Sequence, residues 1–377
     1  MRNAITALCI AATALLLFGL VLVYTASSMQ RGGAAPFLVK QLAAAAAGLV
    51  MGGFCAFSDY RLWKSRAVLA ILGAVAVCGC LMVFLWAPVN GSRRWISIAG
   101  FSLQPSEFAR IVMLMALASW YAGIGPRASE FWRGVAIPAL IIAVFAGPVL
   151  ASPDIGATLV MCVGAGTIMI AAGLRRRWIA LGFVAAVAAI ALTLAANPNK
   201  RARVMVFWDK LRGVETTSAA AAAAYHVEQS IEAFTRGGFR GRGIGRSIQK
   251  YQFLPEANSD FIYAIAAEEF GIAATVSMVL AYMTILVCGT FIAAHSRDRF
   301  GGLLALGVTT VFSFEAAFNI GMVTGCLPTK GIALPFASAG GSSLMASMVI
   351  VGLLISVGSA SASAAATSSM RDAQIEY

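Results

Sequence analysis

Ten apolar runs make up most of the chain, at about Ala4–Tyr24, Pro36–Phe57, Ala67–Pro88, Pro105–Ala122, Gly134–Leu150, Ile155–Leu174, Trp178–Ala196, Asp260–Ala294, Gly301–Thr324 and Ser342–Val357. Short stretches rich in Arg, Gly, Pro and Ser separate most of them. A helix rises about 1.5 Å per residue and the hydrocarbon layer is about 30 Å thick, so roughly 20 apolar residues cross it. The pattern predicts an all-α polytopic membrane protein of ten transmembrane helices, forming one domain over residues 1–357. The eighth run is longer than a membrane needs and is expected to tilt or to extend beyond the bilayer. Between the seventh and eighth helices, Asn197–Ser259 forms a large extracytoplasmic loop, too long for an idle connection. Its Ala-rich part, Ser218–Thr235, carries Val227, Ile231 and Phe234 at helical spacing and predicts a helix along the outer surface. The small, polar residues 358–377 are expected to form a disordered cytoplasmic tail. The first run exceeds the roughly 7 to 15 residues of a signal-peptide core and is preceded only by Arg2, so it is taken as a span.

Composition agrees with that reading. Of 377 residues 60% are hydrophobic and 12% charged, and the mean hydropathy is +0.83, more apolar surface than one soluble core can hide. The net charge of +12 does not point to nucleic acid, because the cations sit in short loops between spans. One set of loops holds Arg2, Arg61, Lys64, Arg66, Arg127, Arg133, Arg175, Arg176, Arg177, Arg297, Arg299 and Arg371. The opposite short loops hold only Arg31, Lys40, Arg93, Arg94 and Lys330. The richer set belongs in the cytoplasm, which puts both termini there. Seven cysteines lie mostly inside apolar runs and only His226 and His295 are present, so neither a disulfide framework nor a thiolate or histidine metal centre is expected.

Three polar clusters fall on the outer side. Gly237–Glu269 begins with five cations, counting Arg236 just ahead of it, then Arg240, Arg242, Arg246 and Lys250, followed by Glu256; Asp260 then opens an apolar helix. A carboxylate at a membrane edge is a functional candidate, although Ser259 or Asp260 can also serve as a helix cap. The second cluster, from Asn90 to Arg110, contains Arg93, Arg94 and Glu107. Glu107 suits the first turn of a helix begun by Pro105, and Arg110 stands one turn on, where it can pair with it. The third, Thr324–Ser343, is interrupted by Pro328 and Pro335 and so predicts irregular backbone beside a wet cavity. Lys330 offers a point charge there, and Ser342 and Ser343 open the last helix, where free N–H groups or a simple serine cap are both expected. Gly241, Gly243 and Gly245 lack the βαβ setting of a dinucleotide fingerprint. No Asp-x-Asp pair of the kind that holds a sugar nucleotide through a metal is present.

The clusters together resemble the SEDS family (shape, elongation, division and sporulation). The resemblance spans nearly the whole chain through Arg93-Arg94-Trp95-Ile96, Gln104-Pro105-Ser106-Glu107-Phe108, Pro153-Asp154-Ile155-Gly156, Gly237-Gly238 to Gly245, Leu254-Pro255-Glu256, Asp260-Phe261-Ile262, Glu268-Glu269, Leu334-Pro335-Phe336 and Gly340-Gly341-Ser342-Ser343. Leu327 to Gly331 resembles the division and sporulation branch more than the elongation branch. Arg110 stands where the family often has lysine, and Ala339 where a tyrosine is usual. The resemblance implies a peptidoglycan glycosyltransferase in the cytoplasmic (inner) membrane that polymerises lipid II at its outer face, at the division septum. It further implies as partners a class B penicillin-binding transpeptidase and divisome proteins. On that reading Asp260 is the catalytic base. Arg93, Arg94, Lys250 and Lys330 steady pyrophosphate charge, Glu107 and Arg110 support the site, and Glu256, Ser342 and Ser343 complete the substrate-binding set. A divalent cation, magnesium or manganese, can share the charge work, with no metal ligands assigned. The rivals are a lipid II flippase and an elongation-branch polymerase.

Overall fold

A computed structural model describes residues 1–28, 33–87, 93–98, 101–196, 221–250 and 256–375, together with 201 and 205. Asn90, Gly91 and Ser92 of the second polar cluster, Leu254, Pro255 and most of 197–220 lie outside the described residues. Each of the ten apolar runs forms a helix. In chain order these are α1 (Arg2–Ala26), α2 (Ala35–Phe57), α3 (Arg66–Met82), α4 (Pro105–Ile124), α5 (Ile137–Ala151), α6 (Ile155–Ala171) and α7 (Arg176–Ala196). After the long loop's own helix, α8 (Ala221–Gly237), come α9 (Ile262–Ala294), α10 (Arg299–Val323) and α11 (Gly341–Ile375). Among the described residues eight helices are long and apolar enough to cross a membrane, and α6 is a shorter apolar helix. The chain is a multi-pass membrane protein. A hairpin of β1 (Ile96–Ile98) and β2 (Phe101–Leu103), antiparallel with Ile96 opposite Leu103, leads into α4.

Helices α4, α10 and α11 form the enclosed centre, with α2, α3 and α5 more exposed around them. Helices α2 and α11 cross closely. A side chain at Gly52 would meet Met348 O at 2.5 Å, and one at Gly352 would overlap Gly52 O. Small residues of this kind let helices approach where burial in lipid supplies no hydrophobic drive. At the other end of the bundle from Asp260, Asp298 caps α10 through Gly301 N at 3.2 Å and accepts from Tyr60 Oη at 2.6 Å.

Two expectations need correction. The eighth run is not one continuous helix: α9 is broken at Gly271, whose φ of 80° and ψ of −177° are not helical. The Gly237–Lys250 loop fills the gap this leaves. Arg242 N and Gly243 N donate to the carbonyls of Glu268 and Glu269 at 2.9 and 3.0 Å, and Ile272 N donates to Gly238 O at 2.9 Å. The backbone groups freed by the break are thus satisfied, as any helix interrupted inside a membrane protein requires. The tail is the second correction: α11 continues to Ile375 instead of becoming disordered after Val357. Beyond Gly358 the tail is rich in Ala and has neither Gly nor Pro, so nothing in it stops a helix.

Gly271 has a consequence for stability. A Cβ there would overlap Phe239 O and would have to adopt a positive φ. Gly271→Ala should destabilise the protein by about 2–5 kcal/mol through strain and overpacking, visible as a lowered melting temperature in detergent.

Candidate active site

Asp260 lies in the turn that precedes α9. The N-cap position of α9 is Phe261, and Ser259 Oγ donates to Glu256 rather than to the helix. The backbone around Asp260 is tied to the irregular segment between α10 and α11. Asn319 Nδ2, on α10, donates to both Asp260 O and Ile332 O at 2.8 Å. Ser338 Oγ donates to Ser259 O at 2.6 Å and accepts from Leu334 N at 2.7 Å, while Ala339 N donates to Asn258 O at 2.9 Å. These bonds fix a half-buried carboxylate against Gly331, where an added Cβ would stand 2.8 Å from Asp260 Oδ2. Lys330, also half-buried, is the preceding residue of the same segment. Gly331→Ala would push the carboxylate aside. If Asp260 is the reacting group, this should lower turnover at least about tenfold while leaving the melting temperature within a few degrees, because misplacement costs rate before the fold loses stability.

The start of α6 closes one side. A Cβ at Gly156 would meet Ile332 Cγ1 at 3.3 Å. Asp154 caps α6 through Ala157 N at 3.2 Å and accepts from Gln104 Nε2, also at 3.2 Å. Arg94, carried by the approach to the hairpin, places Nε 3.6 Å from Asp154 Oδ2 and Nη2 3.4 Å from Pro153 O. Arg94 therefore joins the site through α6. Arg93 is exposed and donates from Nη1 to Phe84 O at 2.7 Å, toward the end of α3.

Deeper in the bundle, Arg110 bridges two carboxylates. Its Nη2 lies 2.5 Å from Glu107 Oε2 on the same helix, and its Nη1 pairs with Glu315 Oε1 of α10. All three side chains are buried. Glu107 is thus more than a first-turn acid balancing the helix end. Glu315 precedes Asn319 by one turn, so the α10 face that carries the ion triad also holds the Asp260 backbone. The sequence reading passed over Glu315, although a lone acid within the run Gly301–Thr324 is itself a signal. It also passed over Asn319 as a support.

Lys250 is placed elsewhere. Buried at 6% exposure, it donates from Nζ to Gly245 O at 2.5 Å and pairs with Glu269 Oε1 at 3.3 Å. Glu269 is nine residues beyond Asp260, roughly 13 Å along a helix. Beside it the Glu268 carboxylate accepts from Ser247 Oγ, from Ile248 N at 2.9 Å and from Gln249 N at 3.2 Å. Lys250, Glu268 and Glu269 form a latch that pins the loop to α9. Glu256 is exposed, with a positive φ of 54°, and accepts from Ser259 Oγ at 2.9 Å at the rim of the Asp260 turn. Ser342 and Ser343 are buried in the first turn of α11, just after the segment that holds Asp260. Helix α8 lies alongside. His226 stacks on Phe261 with centroids 5.9 Å apart, and Ser230 Oγ donates to Val323 O at 2.6 Å.

The structure thus ties the Asp260 turn to the segment that carries Lys330 and to the α10 face that carries Glu315 of the ion triad, while Arg94 is held by Asp154 at the start of α6. The half-buried Asp260 carboxylate is of the kind that can accept a proton from a hydroxyl. Among the described residues no three His, Cys, Asp or Glu side chains come together as a metal site.

The chain is similar to several characterised groups. The family described as "Cell cycle protein", comprising FtsW, RodA and SpoVE, matches residues 6–363. A probable peptidoglycan glycosyltransferase FtsW of Geobacter metallireducens is 34% identical over 356 residues, 92% of each chain. The stage V sporulation protein E of Bacillus subtilis is 34% identical over 359 residues, 91% of this chain and 93% of that one. Among solved structures, the rod shape determining protein RodA of Thermus thermophilus superposes with a TM-score of 0.67 at 22% identity, covering 93% of this chain and 95% of the other. A chain from a peptidoglycan synthase complex that coordinates polymerization and crosslinking gives 0.73 at 24% identity, covering 94% and 97%. With a match to nearly its whole length and a fold shared with RodA, the chain belongs to the FtsW, RodA and SpoVE family of cell cycle proteins.

Proposed function

We propose that the protein is a peptidoglycan glycosyltransferase, an inverting polymerase that joins lipid II units into glycan strands at the outer face of the cytoplasmic membrane. The observation that carries this reading is the half-buried Asp260 carboxylate, set against Gly331 and held by its backbone to Asn319, one turn from the Glu315 of a buried ion triad. The 34% identity to FtsW supports the choice of reaction. In the proposed step, the 4-hydroxyl of one sugar attacks the anomeric carbon of another from the face opposite the lipid pyrophosphate. Asp260 takes the hydroxyl proton as the C–O bond to the leaving pyrophosphate breaks, and Lys330 and Arg94 offset the charge that develops there. Arg93, Glu256, Ser342 and Ser343 are assigned to the walls that receive substrate. Lys250 is assigned to holding the loop. No step is routed through a cation.

The excess of Lys and Arg in the loops opposite Asp260 supports cytoplasmic termini and an outward-facing site. Likeness to FtsW and to stage V sporulation protein E supports the division and sporulation branch, work at the septum with divisome proteins, and pairing with a class B penicillin-binding transpeptidase.

The test uses purified protein, alone and with its transpeptidase, given labelled lipid II. Polymer on a gel is the expected product. Translocation of lipid II across vesicles without any polymer would overturn the polymerase reading in favour of a flippase.

A further inference from the structure

Helix α9 beyond its break carries Ile272, Val276, Leu280, Met283, Val287 and Phe291 exposed on one face, at 40–64% exposure. Their spacing of three and four residues keeps them in a single stripe. From Ile272 to Phe291 the stripe runs about 28 Å at about 1.5 Å per residue, close to the roughly 30 Å of a hydrocarbon layer. A hydrocarbon layer matched to this stripe ends, on the side of Asp260, at the level of Ile272.

The glycine-rich loop sits at that level, since Ile272 N donates to Gly238 O at 2.9 Å. It displays two apolar side chains outward, Phe239 at 73% and Ile244 at 66% exposure. Arg240, Arg242 and Arg246, interleaved with them, are exposed too. Among the described residues none of these three arginines is ion-paired. The loop is held in this pose: its amides cap the Glu268 and Glu269 carbonyls, and the two carboxylates bind Ser247 to Lys250. Apolar side chains fixed outward at the boundary between hydrocarbon and water, with guanidinium groups between them, match a lipid surface. The apolar groups suit the acyl region, and guanidinium groups pair with phosphate through two parallel hydrogen bonds.

We propose that the loop from Gly238 to Arg246 is a membrane-binding surface. Phe239 and Ile244 enter the acyl region, and Arg240, Arg242 and Arg246 hold the phosphates of anionic phospholipids in the adjoining leaflet. That leaflet is the outer one in the orientation proposed above, but the surface does not require the polymerase reaction.

The full-length protein in nanodiscs of phosphatidylglycerol and phosphatidylcholine, without lipid II, tests this. With p-benzoylphenylalanine in place of Phe239, illumination should yield covalent phospholipid adducts by mass spectrometry; their absence overturns the proposal. Replacing Arg240, Arg242 and Arg246 together by Gln should lower retained phosphatidylglycerol at least about tenfold in native mass spectrometry, and replacing all three by Lys should largely restore it. If the Gln variant keeps its phosphatidylglycerol and loses only added polyprenyl pyrophosphate, the loop handles substrate and the proposal fails. Equal melting temperatures of the Gln and Lys variants assign the loss to the charges.

Discussion

Asp260→Asn should all but abolish polymer formation, with turnover about 10²- to 10⁴-fold below the parent, the range that a positioned general base contributes. Asn has the shape of Asp and cannot accept the hydroxyl proton. Backbone bonds hold residue 260 through its carbonyl to Asn319 and through its neighbours Asn258 and Ser259 to Ala339 and Ser338, and the substitution leaves these in place. The melting temperature should stay within about 2 °C and lipid II binding should persist, which separates loss of chemistry from loss of fold. Asp260→Glu is the sharper control. It keeps the base but lengthens the side chain toward Gly331, whose added Cβ would already lie 2.8 Å from Oδ2. It should retain a small fraction of the rate. Parent-like polymerisation by Asp260→Asn would remove Asp260 from the base role, and Arg94 and Lys330 would then have to act on charge alone.

How far the chain could be read without its structure depends on the range of each interaction. Span positions are set by local apolarity, and all ten predicted runs became helices because each carries its own signal. Asp260, Glu107 and Lys330 were singled out because a charge beside a hydrophobic run is unusual wherever it occurs. Partners were harder. Arg110 finds Glu107 one turn away, which helix periodicity shows, but its other partner Glu315 is 205 residues distant and no local pattern joins them. Lys250 was read as facing substrate because it ends the run of cations that leads to Asp260. It is buried because Glu269, across a 19-residue separation, claims it. The break at Gly271 was hidden as well, since glycine is common in membrane helices and the apolar run continues through it. What betrays the break is the Gly237–Lys250 loop lying against it, a tertiary feature. The helical course of α11 after Val357 was missed for the opposite reason, because small polar residues were read as disorder although their helix propensity is adequate.

Arg110→Met should be the most destabilising single change in the bundle. Among the described residues Arg110 is the only guanidinium between Glu107 and Glu315, and all three side chains are buried on α4 and α10. Methionine nearly conserves volume and leaves two carboxylates facing each other in an apolar interior. Removing one partner of a buried ion pair costs about 3–5 kcal/mol, because the remaining charge is left uncompensated or must take up a proton. The variant should melt well below the parent and accumulate poorly in membranes. Arg110→Lys keeps the charge but not the fork that reaches two carboxylates at once, so it should fold and lose a smaller part of the stability. The decisive comparison is the double variant Arg110→Met with Glu315→Gln. Neutralising Glu315 should restore at least about 1 kcal/mol relative to Arg110→Met alone, a coupling that only residues in direct contact show. If the double variant instead melts at the sum of the two single losses, the Arg110–Glu315 pair does not connect α4 to α10, and the support proposed for the helix face carrying Asn319 fails with it.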